Sequence, residues 1–298
     1  MCAYDARMAI ETSALGALSN DIAGTIERAA PSVVAVEARA RIGASGFFIR
    51  PDLILTADHA LENDDVEIVR ANGVTETASI AGRDPSTDLA LLRVQNPGEP
   101  LAFSSDALRV GAIVLAVARD DDGDLAATMG VLSAVGEAWR TWQGGQIDRF
   151  VRPDLSLYPR FSGSPLLDAS GRAIGLNTGG LSRRQSLTVP AATIERVVAA
   201  LLARGGRMAR GYLGVVLQGV DGGAIVLGVE PGSPADTGGL IVGDVITAIG
   251  ENAVGDADDV HAQLGTDSVG RVVVLDVRRG GVGQRLQVTV GERPERDR

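Results

Sequence analysis

Three polar residues at distant points of the chain, His59, Asp88 and Ser162, could together carry out nucleophilic catalysis. A serine hydroxyl becomes a useful nucleophile only when a histidine accepts its proton, and that histidine needs a carboxylate to fix its tautomer and orientation. The chain has only two histidines, and the second, His261, lies in a segment with a different pattern. The sequence therefore predicts a hydrolase in which His59 is the general base.

Two of the three predicted residues have rivals nearby in the chain. Asp84 precedes Asp88 by four residues, and Ser156 and Ser164 flank Ser162. Residue type alone leaves these alternatives open, because any of the carboxylates or hydroxyls has the required chemistry.

The elements that must position these residues are mainly strands. Between residues 31 and 190, short apolar runs are broken by Gly, Asp and Pro, which is typical of an all-β sandwich or barrel. Examples of these runs are 33–36, 47–49, 53–56, 89–94, 113–117 and 173–176. Helical periodicity is found at 191–203, and a short helix is predicted around Asn20 to Ala30, where Pro31 stops it.

The order His, Asp, Ser and the words around each residue resemble the HtrA/Deg family of trypsin-like serine proteases. The words are TADHAL, DPSTDLALL and RFSGSPLLDASGRAIGLNT, and the spacings are 29 and 74 residues. The resemblance implies a mainly β fold, with a chymotrypsin-like double β-barrel over residues 31–203 after an N-terminal segment at 1–30. It also selects His59, Asp88 and Ser162 as the catalytic triad over the rival residues.

Residues 211–292 follow a glycine-containing linker at 204–210 and resemble a PDZ domain, a small α+β peptide-binding module. The segment begins GYLGVVL and later contains GDVI. The resemblance places a carboxylate-binding loop at Tyr212, Leu213, Gly214 and Val215, and a groove-lining helix with His261 at 256–264. A peptide would add a strand against residues 213–217, with its C-terminal carboxylate on the amides of the loop.

The resemblance also assigns an oxyanion hole to Arg160, Phe161 and Ser162. The family has glycine two residues before the serine, whereas this chain has Arg160. If the hole needs a positive φ at that position, an arginine would be strained by roughly 1–2 kcal/mol. Three alternatives stay open: the hole assembles only when a substrate or PDZ ligand binds, a different backbone path presents the amide, or the site is inactive.

Position within the family pattern predicts the substrate pocket as well. No acidic residue lies at its base, where Ser156 is found, which disfavours cleavage after Arg or Lys and favours small aliphatic side chains. The predicted pocket residues are Leu157, Asn177, Thr178, Gly179 and Thr188.

Composition restricts the partners and the chemistry. A net charge of −10 and a pI near 4.8 argue against a nucleic-acid binder. No His, Cys and carboxylate cluster has metal-ligand spacing, so no metal or cofactor is predicted. The single cysteine excludes an internal disulfide.

The sequence and the resemblance disagree about location. Residues 1–30 lack the basic and apolar regions of a signal peptide, and no stretch of 18 apolar residues occurs, so the sequence as written predicts a cytoplasmic protein. The resemblance instead implies a periplasmic or other extracytoplasmic protein.

The combined prediction is an ATP-independent serine endopeptidase that cleaves unfolded or misfolded proteins. Its partners would be unfolded protein or peptide substrates, C-terminal peptides at the PDZ domain, and copies of itself in a homo-oligomer, which the resemblance implies is a trimer. The alternative is a catalytically impaired pseudoprotease that serves as a peptide-binding adapter or chaperone.

Overall fold

The computed structural model describes residues 13–38, 43–63, 65–182, 185–206, 211–265 and 268–292. Of the predicted N-terminal segment 1–30, the first twelve residues lie outside this description. The last four residues of the predicted linker 204–210 also lie outside it.

Six antiparallel strands form a closed barrel in the first half of the chain. Their inward-facing residues are almost all buried, and closure leaves no unpaired strand edge. The neighbours around the barrel are β1-β2-β3-β6-β5-β4. The strands are β1 (Val33–Glu37), β2 (Ala44–Arg50), β3 (Leu53–Ala57), β4 (Val66–Val69), β5 (Thr75–Asp84) and β6 (Leu89–Arg93).

A second six-stranded antiparallel sheet follows, in the order β11-β8-β7-β12-β13-β14. Its two outer strands, β11 and β14, lie next to each other, so the sheet curls into a second barrel. A separate hairpin, β9 and β10, projects from it. The strands are β7 (Ile113–Arg119), β8 (Leu125–Val135), β9 (Trp139–Arg140), β10 (Gln146–Ile147), β11 (Val151–Asp154), β12 (Pro165–Leu167), β13 (Ala173–Thr178) and β14 (Leu187–Pro190).

The two longer helices flank the barrels. Helix α1 (Ala14–Ala29) begins about a turn and a half before the predicted Asn20, because Ser13 caps it by accepting the Gly16 N–H at 3.1 Å. Helix α2 (Ala191–Ala203) has the predicted bounds and buries Ile194, Val197, Val198 and Leu201 in the barrel core. Among the described residues, no helix combines the length and apolarity that crossing a membrane requires.

The third unit, residues 211–292, is a small α+β domain with its own core. Its main sheet has the order β16-β17-β18-β20-β21, so β16 lies at an edge. The elements are β15 (Gly211–Tyr212), β16 (Val215–Val220), β17 (Gly223–Val229), α3 (Pro234–Thr237), β18 (Val245–Ile249), β19 (Asn252–Ala253), α4 (Ala257–Gln263), β20 (Val272–Arg279), β21 (Val282–Thr289) and β22 (Gly291–Glu292). The predicted mainly β fold, two barrels and a PDZ-like domain, is confirmed.

Arg119 at the end of β7 ties the N-terminal helix to both barrels, although it is only 5% exposed. Its guanidinium donates to the carbonyls of Ala30 at 2.7 Å, Val33 at 2.7 Å and Gly123 at 2.6 Å. Burial lowers the pKa of the Arg119 guanidinium, but the three carbonyls satisfy its donors.

We expect Arg119→Met to lower the free energy of unfolding by about 2–4 kcal/mol, because three buried or part-buried carbonyls lose a charged donor and the removed charge offsets part of that loss. Urea unfolding measures the change. Arg93→Met is the matched control, since its ion pair with Asp52 is half exposed and should cost less than about 1 kcal/mol. Equal unfolding midpoints for the two variants would contradict the assigned role of Arg119.

Candidate active site

His59 and Asp88 come together in the first barrel, where the third strand ends and the sixth strand begins. His59 lies in a short 3₁₀ turn, Asp58–Ala60, directly after β3, and Asp88 directly precedes β6. The His59 Nδ1–H donates to Asp88 Oδ2 at 2.7 Å, and the His59 backbone N–H donates to Asp88 Oδ1 at 2.8 Å. These two bonds fix the ring and leave its Nε2 as the nitrogen that can accept a proton.

The carboxylate of Asp88 is aimed by an unusual backbone conformation. Among the described residues, Asp88 is the only non-glycine residue with a positive φ, at 58°. Aspartate tolerates this region better than most residues. Its rival Asp84 accepts bonds from the Ser86 and Thr87 hydroxyls at 2.5 and 2.7 Å, so Asp84 builds the turn that leads to Asp88.

Arg83 on β5 supports the histidine turn from behind. Its Nε donates to Asp58 Oδ1 at 2.6 Å, and its Nη2 donates to the carbonyls of Asp58 and Leu61 at 3.1 and 3.0 Å. Burial raises the pKa of the Asp58 carboxyl, and the Arg83 guanidinium opposes that rise. Arg83 was not predicted from the sequence, because no motif pairs it with Asp58.

Residues 178–180, at the C-terminal end of β13, cover the other side of the histidine–aspartate pair. The Thr178 hydroxyl donates to Asp88 Oδ2, and the Gly180 N–H donates to Thr178 Oγ1 at 2.8 Å. A Cβ on Gly180 would lie 2.4 Å from Asp88 Oδ2 and 2.7 Å from His59 Nδ1. Glycine at position 180 therefore lets the main chain pass directly over the pair.

The loop of Ser162 is held near this pair by backbone contacts with β2 and β3. Its carbonyl accepts the Ser45 N–H of β2 at 2.9 Å. The next residue, Gly163, has a φ of 84°, and a Cβ there would lie 2.1 Å from the Ser45 carbonyl and 3.0 Å from the Ala57 nitrogen. Ala57 is two residues before His59, so Gly163 brings the serine loop against the histidine strand.

The residues just before Ser162 form a 3₁₀ turn, Pro159–Phe161, whose amides bond inside the turn. The Ser162 N–H donates to the Pro159 carbonyl at 3.1 Å, and the Phe161 N–H donates to the Tyr158 carbonyl at 2.9 Å. Arg160 does not have a positive φ. In this conformation the amides of the predicted oxyanion residues Phe161 and Ser162 are directed to other carbonyls, and their role in catalysis stays a prediction.

The rival serines occupy different environments. Ser156 is exposed, whereas Ser164 is fully buried and its Oγ accepts the Asn177 side-chain amide at 3.1 Å. The Asn177 carbonyl oxygen in turn accepts the Thr188 hydroxyl at 2.9 Å. Ser164 therefore belongs to a buried polar network and is not available as a nucleophile.

The predicted pocket residues fall into two groups. Leu157 is half-buried and Gly179 is exposed, so both can face a substrate. The side chains of Asn177 and Thr188 are buried in the network with Ser164, and that of Thr178 is directed to Asp88. Their assignment to the pocket was based on position in the chain, which does not reveal that β13 and β14 turn these side chains inward.

The predicted peptide-binding loop of the third unit lies between β15 and β16. Gly214 has a φ of 78°, and a Cβ there would lie 2.3 Å from the Ser233 Cβ, so the loop requires glycine. Leu213 is buried in the core, Val215 is half-buried, and the Tyr212 hydroxyl donates to Glu230. His261 lies exposed on α4, and its role stays a prediction.

The β9–β10 hairpin contacts both the aspartate turn and helix α4. The Thr141 hydroxyl donates to the Ser86 carbonyl at 2.7 Å, two residues before Asp88. On its other side, a Cβ on Gly144 would lie 2.7 Å from the His261 carbonyl, and Arg140 donates to the Ala262 carbonyl at 3.4 Å. No sequence motif predicts this bridge, because backbone carbonyls accept its hydrogen bonds.

Within the part of the chain that the structure describes, no group of three or more His, Cys, Asp or Glu side chains could hold a metal ion. The site itself offers a histidine oriented by a buried carboxylate, next to a loop that carries a serine.

Comparison with known domains agrees with this geometry. Residues 44–176 match the trypsin-like peptidase domain, and residues 211–290 match the PDZ domain. The chain is 34% identical over 272 residues to a "Probable periplasmic serine endoprotease DegP-like" of Ectopseudomonas mendocina (strain ymp), which covers 84% of this chain and 56% of the relative. A protein of the same description from Chlamydia pneumoniae is 30% identical over 282 residues, which covers 88% of this chain and 57% of the relative.

Solved structures give the same picture. A serine endoprotease from Yersinia pestis superposes with a TM-score of 0.69 at 26% identity, covering 92% of this chain and 98% of that one. The HtrA-type protease AlgW with a decapeptide gives a TM-score of 0.68 at 26% identity, covering 92% and 99%. Fold and site thus define a trypsin-like serine protease domain joined to a PDZ domain.

The chain belongs to the HtrA/Deg family. It spans just over half the length of the DegP-like relatives described above.

We expect Gly180→Ala to push His59 and Asp88 apart, because its new Cβ would overlap both side chains. The low-field proton resonance of His59 Nδ1–H should shift or disappear, and any peptidase rate should fall about 10²-fold, as for misplacement of a reacting group by about 1 Å. Gly179→Ala is the matched control for the resonance, since a Cβ there meets no atom within 4 Å. An unchanged His59 resonance in Gly180→Ala would contradict this account of the site.

Proposed function

We propose that the chain is an ATP-independent serine endopeptidase of the HtrA/Deg type that cleaves unfolded or misfolded proteins. The observation that carries the proposal is the 2.7 Å bond between His59 Nδ1 and Asp88 Oδ2 beside the loop of Ser162. Peptide hydrolysis by a triad needs only water as a second reactant, so no cofactor or metal is part of the proposal.

In the proposed mechanism, His59 Nε2 accepts the Ser162 hydroxyl proton while Ser162 Oγ attacks the scissile carbonyl. The imidazolium then gives that proton to the leaving amine, and water hydrolyses the acyl-enzyme by the reverse sequence. Asp88 stays ionised and stabilises the imidazolium, supported by the bond from Thr178.

The tetrahedral intermediate needs two amide donors aimed at its oxyanion, and losing one typically costs about 10²–10³ in rate. The Ser162 N–H donates to Pro159 in the resting turn. We infer that the hole, formed by the amides of residues 160–162, assembles when a substrate or a PDZ ligand binds.

We propose that the primary pocket accepts small aliphatic side chains. Leu157 contributes an apolar wall, Gly179 an open stretch of main chain, and Ser156 leaves the pocket base without a negative charge. A pocket without a carboxylate gives Arg or Lys no ionic partner, which disfavours cleavage after basic residues.

We propose that the PDZ domain recognises hydrophobic C-termini by strand addition to the edge strand β16. The carboxylate would bind at the loop of Tyr212, Leu213, Gly214 and Val215, and His261 would face the groove. The β9–β10 hairpin supports a regulatory role, because it contacts helix α4 on one side and the turn before Asp88 on the other.

The remaining parts of the proposal rest on the relatives. The DegP-like relatives are named periplasmic, which favours the periplasm over the cytoplasmic location predicted from the sequence as written. We propose a periplasmic homo-oligomer, a trimer, with the protease domain at 31–203, the linker at 204–210 and the PDZ domain at 211–292.

One observation favours a second candidate, a peptide-binding pseudoprotease that serves as an adapter or chaperone. The amides of Phe161 and Ser162 are bonded to the Tyr158 and Pro159 carbonyls, and Arg160 replaces the family's glycine. A turn that never rearranges would leave the triad without a complete oxyanion hole.

We expect wild type to degrade casein and to be labelled covalently by a serine-directed phosphonate, with more of both when a hydrophobic C-terminal peptide is added. Ser162→Ala should lose both signals because it lacks the nucleophile. Ser164→Ala is the matched control and should keep the labelling, since its hydroxyl is buried in the Asn177 network. No labelling of wild type with or without peptide would favour the pseudoprotease.

A further inference from the structure

The side chain of Arg160 leaves the oxyanion turn and binds the loop between β7 and β8. Its Nη2 donates to Asp121 Oδ2 at 2.6 Å, and its Nη1 donates to Asp121 Oδ1, which makes a two-pronged ion pair. The pair lies at the surface, with the Arg160 side chain 36% and the Asp121 side chain 52% exposed. A bidentate arginine–carboxylate pair fixes direction as well as distance.

Glu37, at the end of β1, faces the same carboxylate from the barrel side. A Cβ on Gly43 would lie 2.5 Å from Glu37 Oε1 and 2.7 Å from Asp121 Oδ1, so both oxygens face the Gly43 Cα. Burial, followed by the hydrogen bond and charge of Asp121, raises the pKa of Glu37 to about 7. The bond from Arg160 lowers the pKa of Asp121 to about 2. A neutral Glu37 can therefore donate to an ionised Asp121.

The backbone of the same turn is held at two further points. The Ser45 hydroxyl donates to the Arg160 carbonyl at 2.9 Å, and the Ser162 N–H donates to the Pro159 carbonyl at 3.1 Å. Freeing the Ser162 amide for a substrate oxyanion requires rotation of the peptide units on either side of Arg160. The ion pair with Asp121 opposes any such rotation that also displaces the Arg160 side chain.

We propose that Arg160, Asp121 and Glu37 form a positioning clamp that keeps the 159–161 turn in the conformation without an oxyanion hole until substrate binding breaks it. The clamp rests on the proposed function, since it matters only if Ser162 is a nucleophile. The residue that replaces the family's glycine thus does more than tolerate the resting turn: its side chain holds that turn in place.

The first test measures amide hydrogen exchange at residues 161 and 162 in a Ser162→Ala background, where catalysis plays no part. We expect Asp121→Asn to speed exchange about two- to fivefold, because the ion pair becomes a neutral contact. Asp52→Asn is the matched control, since it breaks the exposed Arg93–Asp52 pair on the first barrel and should leave this exchange unchanged. Equal exchange in Asp121→Asn and Asp52→Asn would overturn the clamp.

Phosphonate labelling of the chain with Ser162 intact separates failure of the clamp from failure of the proposed function. Several-fold faster labelling of Asp121→Asn than of wild type would support both. Faster exchange with no labelling of any variant would support the clamp and overturn the proposed function. Labelling of wild type, with equal exchange in Asp121→Asn and Asp52→Asn, would overturn the clamp and leave the proposed function standing.

The clamp also predicts a pH dependence with a defined sign. The charged groups of the described residues that face Glu37 are Asp121, Arg160 and Glu67, which lies opposite it on β4. The closed clamp keeps the Glu37 proton to about pH 7, whereas a solvated glutamate loses it near its ordinary value of 4.5. The contribution of Glu37 to the clamp is therefore fully present below about pH 4.5 and is lost as the pH rises through about 7.

Glu37→Gln tests this sign, because a glutamine stays neutral and can still donate to Asp121. The measurement is made on two chains that both carry Ser162→Ala, one with Glu37 and one with Glu37→Gln. At the amides of residues 161 and 162, the exchange rate with Glu37 is divided by the rate with Glu37→Gln. We expect this ratio to rise severalfold from pH 4.5 to 8. The pH dependence of the intrinsic amide exchange rate is the same for both chains, so it cancels in this ratio. A ratio that stays constant with pH would overturn the role of Glu37 in the clamp.

Discussion

The buried carboxylate of Asp88 is the constraint on which the rest of the site depends. An ionised carboxylate that is 4% exposed is costly to bury unless hydrogen bonds replace its hydration. Here the backbone and ring of His59 and the hydroxyl of Thr178 supply those bonds. The same requirement explains the positive φ at Asp88 and the glycine at position 180, because each brings a donor or a chain segment into contact with the carboxylate.

The loop of Ser162, unlike Asp88, is not preorganised for catalysis in this conformation. The histidine–aspartate pair is organised in the resting structure, whereas the amides of Phe161 and Ser162 donate to nearby backbone carbonyls. A preorganised base and an unassembled hole together give a site whose chemistry depends on one local rearrangement. Arg160 links that rearrangement to Asp121, and through it to the first barrel at Glu37.

Local sequence patterns predicted some elements well and others poorly. The periodicity of residues 191–203 gave the bounds of α2, because a single apolar face packs on the barrel. Residues 120–146 gave no comparable pattern, yet they contain the long strand β8 and the β9–β10 hairpin. Strand β8 exposes much of both faces, so its residues are not selected for alternating burial, and its pairing with β7 and β11 is decided across the sheet.

The sequence by itself determined the two-barrel and PDZ-like architecture and pointed to His59, Asp88 and Ser162, because short words with fixed residue types surround each of them. Only the tertiary structure decided what those residues touch. The side chains of Asn177 and Thr188 lie in a buried hydrogen-bond network. Arg83 and Gly180 contact the turn of His59 and the histidine–aspartate pair. Arg160 pairs with Asp121, which is 39 positions away in the chain. Such contacts join segments that barrel closure brings together, and no local pattern records which distant side chains will meet.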